Sequence, residues 1–130
     1  MKRVILYARV ATMDQAVGHQ HKLQQQVDAL IKYCNDKNIE IEVCFREIAS
    51  GATFDRRIFN QMLLNTERGH IKADTLLFTT WDRFSRNLPA ALDMIKTLRK
   101  LGIKVKSIQE PDTAEIENLL KQVLKRSRNL

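Results

Sequence analysis

The chain has 130 residues, few enough for one compact domain. Its hydrophobic content of 44%, broken by only two prolines and four glycines, excludes disorder and repeat architectures. The 22 Lys and Arg against 15 Asp and Glu leave a net charge of +7. That balance favours polyanionic partners, although it also serves plain solubility.

The first segment, RVILYARV at 3–10, is an aliphatic and β-branched run too short for a helix, and it predicts a buried strand of the parallel type. Its basic-then-apolar start resembles a signal peptide only superficially, because Arg9 ends the run without a cleavage site of small residues. No stretch reaches the roughly 20 apolar residues of a membrane span, so a soluble, cytoplasmic protein is expected. Between 20 and 37, Leu23, Val27, Leu30, Ile31 and Cys34 recur at helical spacing. IEIEVCFREI at 39–48 alternates as a strand does, and SGATFDRR at 50–57 has the composition of a loop. Ile58, Phe59, Met62 and Leu63 mark a second helix ending near Gly69. DTLLFTT at 74–80 predicts a third strand, and WDRFSRNLP at 81–89 a turn into a third helix that stops at Gly102. IKVKSIQ at 103–109 predicts a fourth strand.

A last helix is expected over about 113–127, with Asp112 and Glu115 at capping-box spacing, acids at its start and Lys121, Lys125, Arg126 and Arg128 at its end. Strands alternating with helices predict an α/β fold over 1–130, a three-layer α/β/α sandwich on a mainly parallel sheet of four to five strands. Cys34 and Cys44 lack metal-ligand spacing and are expected as buried free thiols.

Ligands of open α/β sheets bind beyond the carboxyl ends of the strands. Arg9, Ala11, Thr12 and Gln15 follow the first strand; Glu47, Ser50, Asp55, Arg56 and Arg57 the second; Asp82, Arg83, Ser85 and Arg86 the third. Five arginines thus converge on one rim, and their planar forks suit phosphate oxygens. If 82–87 is helical, Arg83 and Arg86 share a face. No paired carboxylates follow a strand, and His19 and His21 read as solvated polar residues near a helix start, so no metal is expected. No glycine-rich nucleotide loop follows the first strand either. Taken singly, each of these residues has an ordinary reading: Arg9 a strand-end charge, Asp82 a helix cap, Arg83 and Arg86 a solvated face, Arg56 and Arg57 a decorated loop. Trp81 and Phe84 read as packing residues.

YARVATMDQ at 7–15, ASGATFDRR at 49–57 and WDRFSRN at 81–87 together resemble the motifs of serine recombinases of the resolvase and invertase type. The likeness runs from residue 1 to about 112, and the long spacer between Gln15 and Gln26 is more like that of the large members. The resemblance implies a DNA-rearranging enzyme. A serine hydroxyl would attack a phosphodiester and form a 5′-phosphoserine link, without metal or other cofactor, and subunits of a homodimer or higher homo-oligomer would exchange strands. By motif position it implies that Arg9, Arg83, Arg86 and Arg56 clamp the scissile phosphate and that Asp82 orients them or moves a proton. Gln15 and Gln26 would shape the site, and Glu47 matches a position usually acidic.

The departure is Ala11, which stands where the family carries its nucleophilic serine. A methyl group cannot attack phosphorus, so the chain is expected to be inert in the covalent step. Thr12 is the neighbouring hydroxyl, but successive side chains on extended backbone point to opposite faces. A rival reading is a noncatalytic regulator or association module, and a weaker third is a phosphate-sensing or nucleotide-binding module. No helix-turn-helix or zinc-binding pattern follows the last helix, so sequence-specific DNA binding is not expected from these 130 residues.

Overall fold

The computed structural model describes residues 1–11 and 16–109. Eight elements follow in order: β1 (Arg3–Val10), α1 (Ala16–Asp36), β2 (Glu40–Ile48), α2 (Arg57–Glu67), β3 (Thr75–Phe78), α3 (Trp81–Phe84), α4 (Leu88–Lys100) and β4 (Lys104–Ser107). The four strands form one sheet in the order β2-β1-β3-β4, and all three pairings are parallel. The expected Thr12 and Gln15 positions, and the expected helix at 113–127, lie outside the described residues.

Period-two alternation on β1 divides the core. Val4, Leu6, Ala8 and Val10 pack against Leu23, Val27, Leu30 and Cys34 of α1. Ile5 and Tyr7 face the other way, onto Phe59 and Met62 of α2, Phe84 of α3, and Ala91, Ile95 and Leu98 of α4. Helices therefore cover both faces, which gives the three-layer sandwich. A strand buried on both faces must be apolar at every position. That is why β1 reads as a continuous hydrophobic run. β2, at the sheet edge, alternates because it is only partly covered.

The stops and starts are local. Gly102 takes φ 80, a left-handed conformation that ends α4, and Asn87 caps the start of α4 by accepting the Ala90 N–H at 3.2 Å. At the amino ends of the strands, the Asp74 carboxylate accepts the Lys2 and Arg3 amides at 2.8 and 3.3 Å, tying the start of β1 to the start of β3.

The segment expected as a turn before α4 opens with the single helical turn α3; Ser85, at φ −162 and ψ 145, is extended, so Arg86 leaves the helical path and the condition for Arg83 and Arg86 to share a helix face is not met. Two local expectations are corrected. His19 is buried rather than solvated, since α1 begins earlier than the apolar periodicity marks and carries it inward. Cys34 is a buried free thiol, but Cys44 is free and exposed, because β2 is an edge strand. Among the described residues, no helix is long and apolar enough to cross a membrane.

Leu30 is wholly buried between α1 and the sheet. Replacing it (Leu30→Ala) is expected to cost about 2–5 kcal/mol in urea denaturation, the usual range for emptying a packed core position.

Candidate active site at the carboxyl end of the sheet

Neighbouring strands β1 and β3 lead into helices on opposite faces, α1 on one and α3 and α4 on the other. Such a reversal opens a crevice beyond the strand ends, where α/β sheets bind ligands. Arg9 and Ala11 come from the end of β1; Asp82, Arg83 and Arg86 from the segment after β3; Arg56 from the loop after β2.

Arg9 is the centre of this arrangement. It is fully buried, and each nitrogen of its guanidinium donates to a backbone carbonyl. Nε donates to Arg83 at 2.8 Å, Nη1 to Ala49 at 2.7 Å, and Nη2 to Asp82. Its own backbone is clamped by Gln26 in α1, whose amide accepts the Arg9 N–H and donates to the Arg9 carbonyl, both at 3.0 Å. One side chain thus braces the ends of β1, β2 and β3 together. Burial lowers the Arg9 pKa to about 10, and the charges of Arg56, Arg86 and Arg83 push the same way. A buried cation crowded by cations favours any anion that reaches it.

Gly51 makes the close approach possible. It is buried, and a Cβ there would stand 2.8 Å from Arg9 Nη2 and 3.1 Å from Arg86 Cγ. Its carbonyl accepts the Arg86 N–H at 2.8 Å, which fixes the backbone of the third motif against the loop after β2. Arg83 is half-buried and Arg86 exposed, so the two project from the cluster toward the opening.

Arg56 is also buried. Its Nε donates to the Ser50 and Thr53 carbonyls at 3.3 and 3.0 Å, and its Nη1 reaches the Tyr7 hydroxyl at 3.4 Å. Its guanidinium carbon lies 4.3 Å from the Phe54 ring centroid, a cation–π contact. Its Nη2 has no hydrogen-bond partner. An open cleft of about 600 Å³ beside the end of β2 is lined by Arg46, Arg56 and Arg57 together with the acidic Glu47 and Asp55. Among the described residues, none of Arg9, Arg56, Arg83 and Arg86 has a carboxylate within ion-pair distance.

The other expected residues fall in different places. Ala11 sits half-buried just past β1, two residues beyond Arg9. Asp82 is exposed in the first turn of α3; its carboxylate accepts the Thr80 hydroxyl, while its carbonyl serves Arg9. Gln26 supports the site through the Arg9 backbone. Glu47 does not reach toward a ligand: Oε1 accepts the Tyr7 hydroxyl at 2.6 Å and the Phe59 N–H at 3.2 Å, and Oε2 accepts the Ile58 N–H at 2.7 Å. It caps α2 from the neighbouring strand, in place of a side chain at Arg56, the N-cap, which makes no such bond. Arg57 is exposed, and Trp81 and Phe84 pack in the core, as their sequence context implies. Tyr7 opens the first motif but reads there as part of an apolar strand; the odd-numbered face that it shares with Arg9 is the signal that places it at the site. Among the described residues, no group of His, Cys, Asp and Glu is arranged to hold a metal.

The fold and site together define a class, an α/β domain that gathers guanidinium groups at the carboxyl end of a parallel sheet. Residues 4–127 match the family model described as Resolvase, N terminal domain. This chain belongs to that family, the resolvase-type serine recombinases. It is 31% identical over 105 residues to a resolvase of Clostridium perfringens, covering 80% of this chain and 48% of the relative. It is 27% identical over 108 residues to the transposon Tn3 resolvase of Escherichia coli, covering 83% and 51%. The chain therefore spans about half the length of the curated relatives it matches. The N-terminal catalytic domain of TP901-1 integrase shares the fold at a TM-score of 0.74 and 23% identity, with 98% of each chain covered. A resolvase family site-specific recombinase from Streptococcus pneumoniae does so at 0.75 and 18%, covering 99% of this chain and 89% of that one.

Two outcomes follow from the packing. Gly51→Ala is expected to lower stability by about 1–3 kcal/mol in chemical denaturation, because Arg9 is held by three bonds and cannot swing clear of the added methyl. Burial also pushes the Tyr7 phenol well above its ordinary 10.0; Arg56 opposes this, and Glu47 adds to it. The folded state then keeps a proton that the unfolded chain releases. The Tyr7 contribution is complete below pH 10 and is lost as the pH rises further, by up to about 1.4 kcal/mol per pH unit. Stability measured across this range should fall less steeply in Tyr7→Phe.

Proposed function

We propose that this chain is the catalytic domain of a site-specific DNA recombinase whose strand-cleaving step lacks its nucleophile. The observation that carries the reading is the cluster of Arg9, Arg56, Arg83 and Arg86, which meets no carboxylate among the described residues and lies at the strand end that carries Ala11. A phosphodiester bound there would be surrounded by fixed positive charge, the arrangement that stabilises charge developing on phosphoryl oxygens. With a serine at position 11, its oxygen would bond to phosphorus as the P–O3′ bond breaks. The serine proton would leave and the departing 3′ oxygen would take one up, giving a 5′-phosphoserine link and a free 3′ hydroxyl. Asp82 stands at the mouth of the site, placed to orient an arginine or move that proton. Rejoining reverses the step, so neither nucleotide nor metal is called for. Strand exchange needs subunits that change places, hence a homodimer or larger homo-oligomer on DNA in the cytoplasm.

Arg83 and Arg86, nearest the opening, are the first contacts for the phosphate, and Arg56 supplies an uncommitted donor behind them. Arg9 contributes charge and holds the others in place. Gln15 keeps the role its motif implies, in shaping the site, and Thr12 is not expected to replace the missing serine.

Ala11 itself favours a second reading, a noncatalytic domain that pairs with an active partner or occupies DNA. A companion protein in the same genome with serine at this position, able to form mixed oligomers with this chain, would favour it.

The test is Ala11→Ser in a chain joined to a DNA-binding segment, incubated with supercoiled DNA carrying that segment's site. Protein attached to 5′ ends is expected on denaturing gels from Ala11→Ser and none from the parent. Adding Arg86→Ala is expected to reduce the adduct rate about 100-fold or more, the usual cost of removing one preorganised charge-stabilising donor. No adduct from folded, DNA-bound Ala11→Ser protein overturns the catalytic reading.

A further inference from the structure

The sequence motifs leave Tyr7 and Glu47 without a shared task, yet the structure joins them to Arg56. The Glu47 carboxylate is linked to Arg56 through the Tyr7 hydroxyl, and the two charges do not form an ion pair. The Tyr7 hydroxyl stands between them, donating to Glu47 Oε1 at 2.6 Å and accepting from Arg56 Nη1 at 3.4 Å. The remaining capacity of Glu47 is taken by the Ile58 and Phe59 amides at the start of α2. Carbonyls of Ser50 and Thr53 hold Arg56 Nε from the other side. Arg56 Nη2 is left buried and without a partner, and an unmet buried donor is costly unless a ligand supplies the acceptor.

We propose that Tyr7 is a positioning residue: its hydroxyl is a spacer that holds Arg56 in place while keeping the Glu47 carboxylate from pairing with it. The guanidinium therefore stays available to a phosphate. Without the hydroxyl, a buried carboxylate and a buried guanidinium would close on each other, since opposite charges in a low-dielectric interior attract strongly. Arg56 would then be neutralised from behind. The Tyr7 ring stays in its edge-on contact with Phe59, 5.3 Å between centroids, so loss of the hydroxyl alone leaves the packing in place. This inference rests on the reading that the arginine cluster binds phosphate.

The experiment uses the chain as it stands, with inorganic phosphate as the probe and the arginine Nε–H signals as the readout in nitrogen-resolved NMR. In the parent, the Arg56 signal is expected to be protected from exchange and to shift on phosphate addition together with those of Arg83 and Arg86. Tyr7→Phe is expected to fold and to bind phosphate about tenfold more weakly, the size of one charge-assisted hydrogen bond. Adding Glu47→Gln to Tyr7→Phe should restore most of the affinity, because the neutral amide no longer competes for Arg56; a merely structural hydroxyl would show no such rescue. Equal affinity in parent and Tyr7→Phe, or no rescue, overturns the role of Tyr7 and leaves the phosphate site standing. No phosphate response at any of the four arginines in the parent overturns the site reading and this one with it. A response at Arg83 and Arg86 but not at Arg56 overturns the Tyr7 proposal alone, whether or not Tyr7→Phe folds.

Discussion

Burying a guanidinium at the end of a parallel sheet is costly unless every nitrogen finds an acceptor. Arg9 meets that demand with backbone carbonyls drawn from two different segments, Ala49 after β2 and Asp82 and Arg83 after β3. Because carbonyls rather than carboxylates satisfy it, the charge is solvated without being neutralised. The surrounding loops are consequently fixed in position around a net positive centre. Gly51, whose missing side chain lets the loop close over Arg9 and against Arg86, is the steric counterpart of the same arrangement.

Arg56 repeats the solution one strand away. Two carbonyls and a phenol hold it, the Phe54 ring faces it, and the Glu47 carboxylate behind the phenol is kept busy at the start of α2. Among the described residues, a site arranged in this way concentrates charge without internal salt bridges. Surface ion pairs do occur in this protein, between Arg3 and Glu40 and between Lys32 and Asp36, but they lie away from this end of the sheet. None of these supports involves the residue at position 11. The hydrogen bonds that hold Arg9 and Arg56 are therefore independent of which side chain stands at position 11.

Much of the fold was legible because its elements rest on short-range rules. A continuous apolar run marks a doubly covered strand, as in β1; helical periodicity from Leu23 to Cys34 marks α1; Gly102 marks the end of α4. Arg9, Arg83 and Arg86 were legible as a site because they follow strand ends, where chemistry collects in this class of fold. Features set by distant partners were not legible. Within the turn after β3, Ser85 extends so that Arg86 can pair its amide with Gly51, 35 residues earlier in the chain. Cys44 lies exposed because the strand that carries it is at the edge, and edge position is a property of the whole sheet.

What the amino-acid order alone determined is which residues are apolar, where segments start and stop, which motif the chain carries, and that position 11 offers a methyl group. Those are properties of a residue and its neighbours within a turn or two. Tertiary structure decided that Arg9 is a brace, that Glu47 serves a helix and a phenol, and that Tyr7 stands between opposite charges. These roles depend on partners 11 to 74 residues apart in sequence. The physical reason is that a buried charge takes its character from whatever acceptor the folded chain places within 3 Å of it, and no local pattern records that distance.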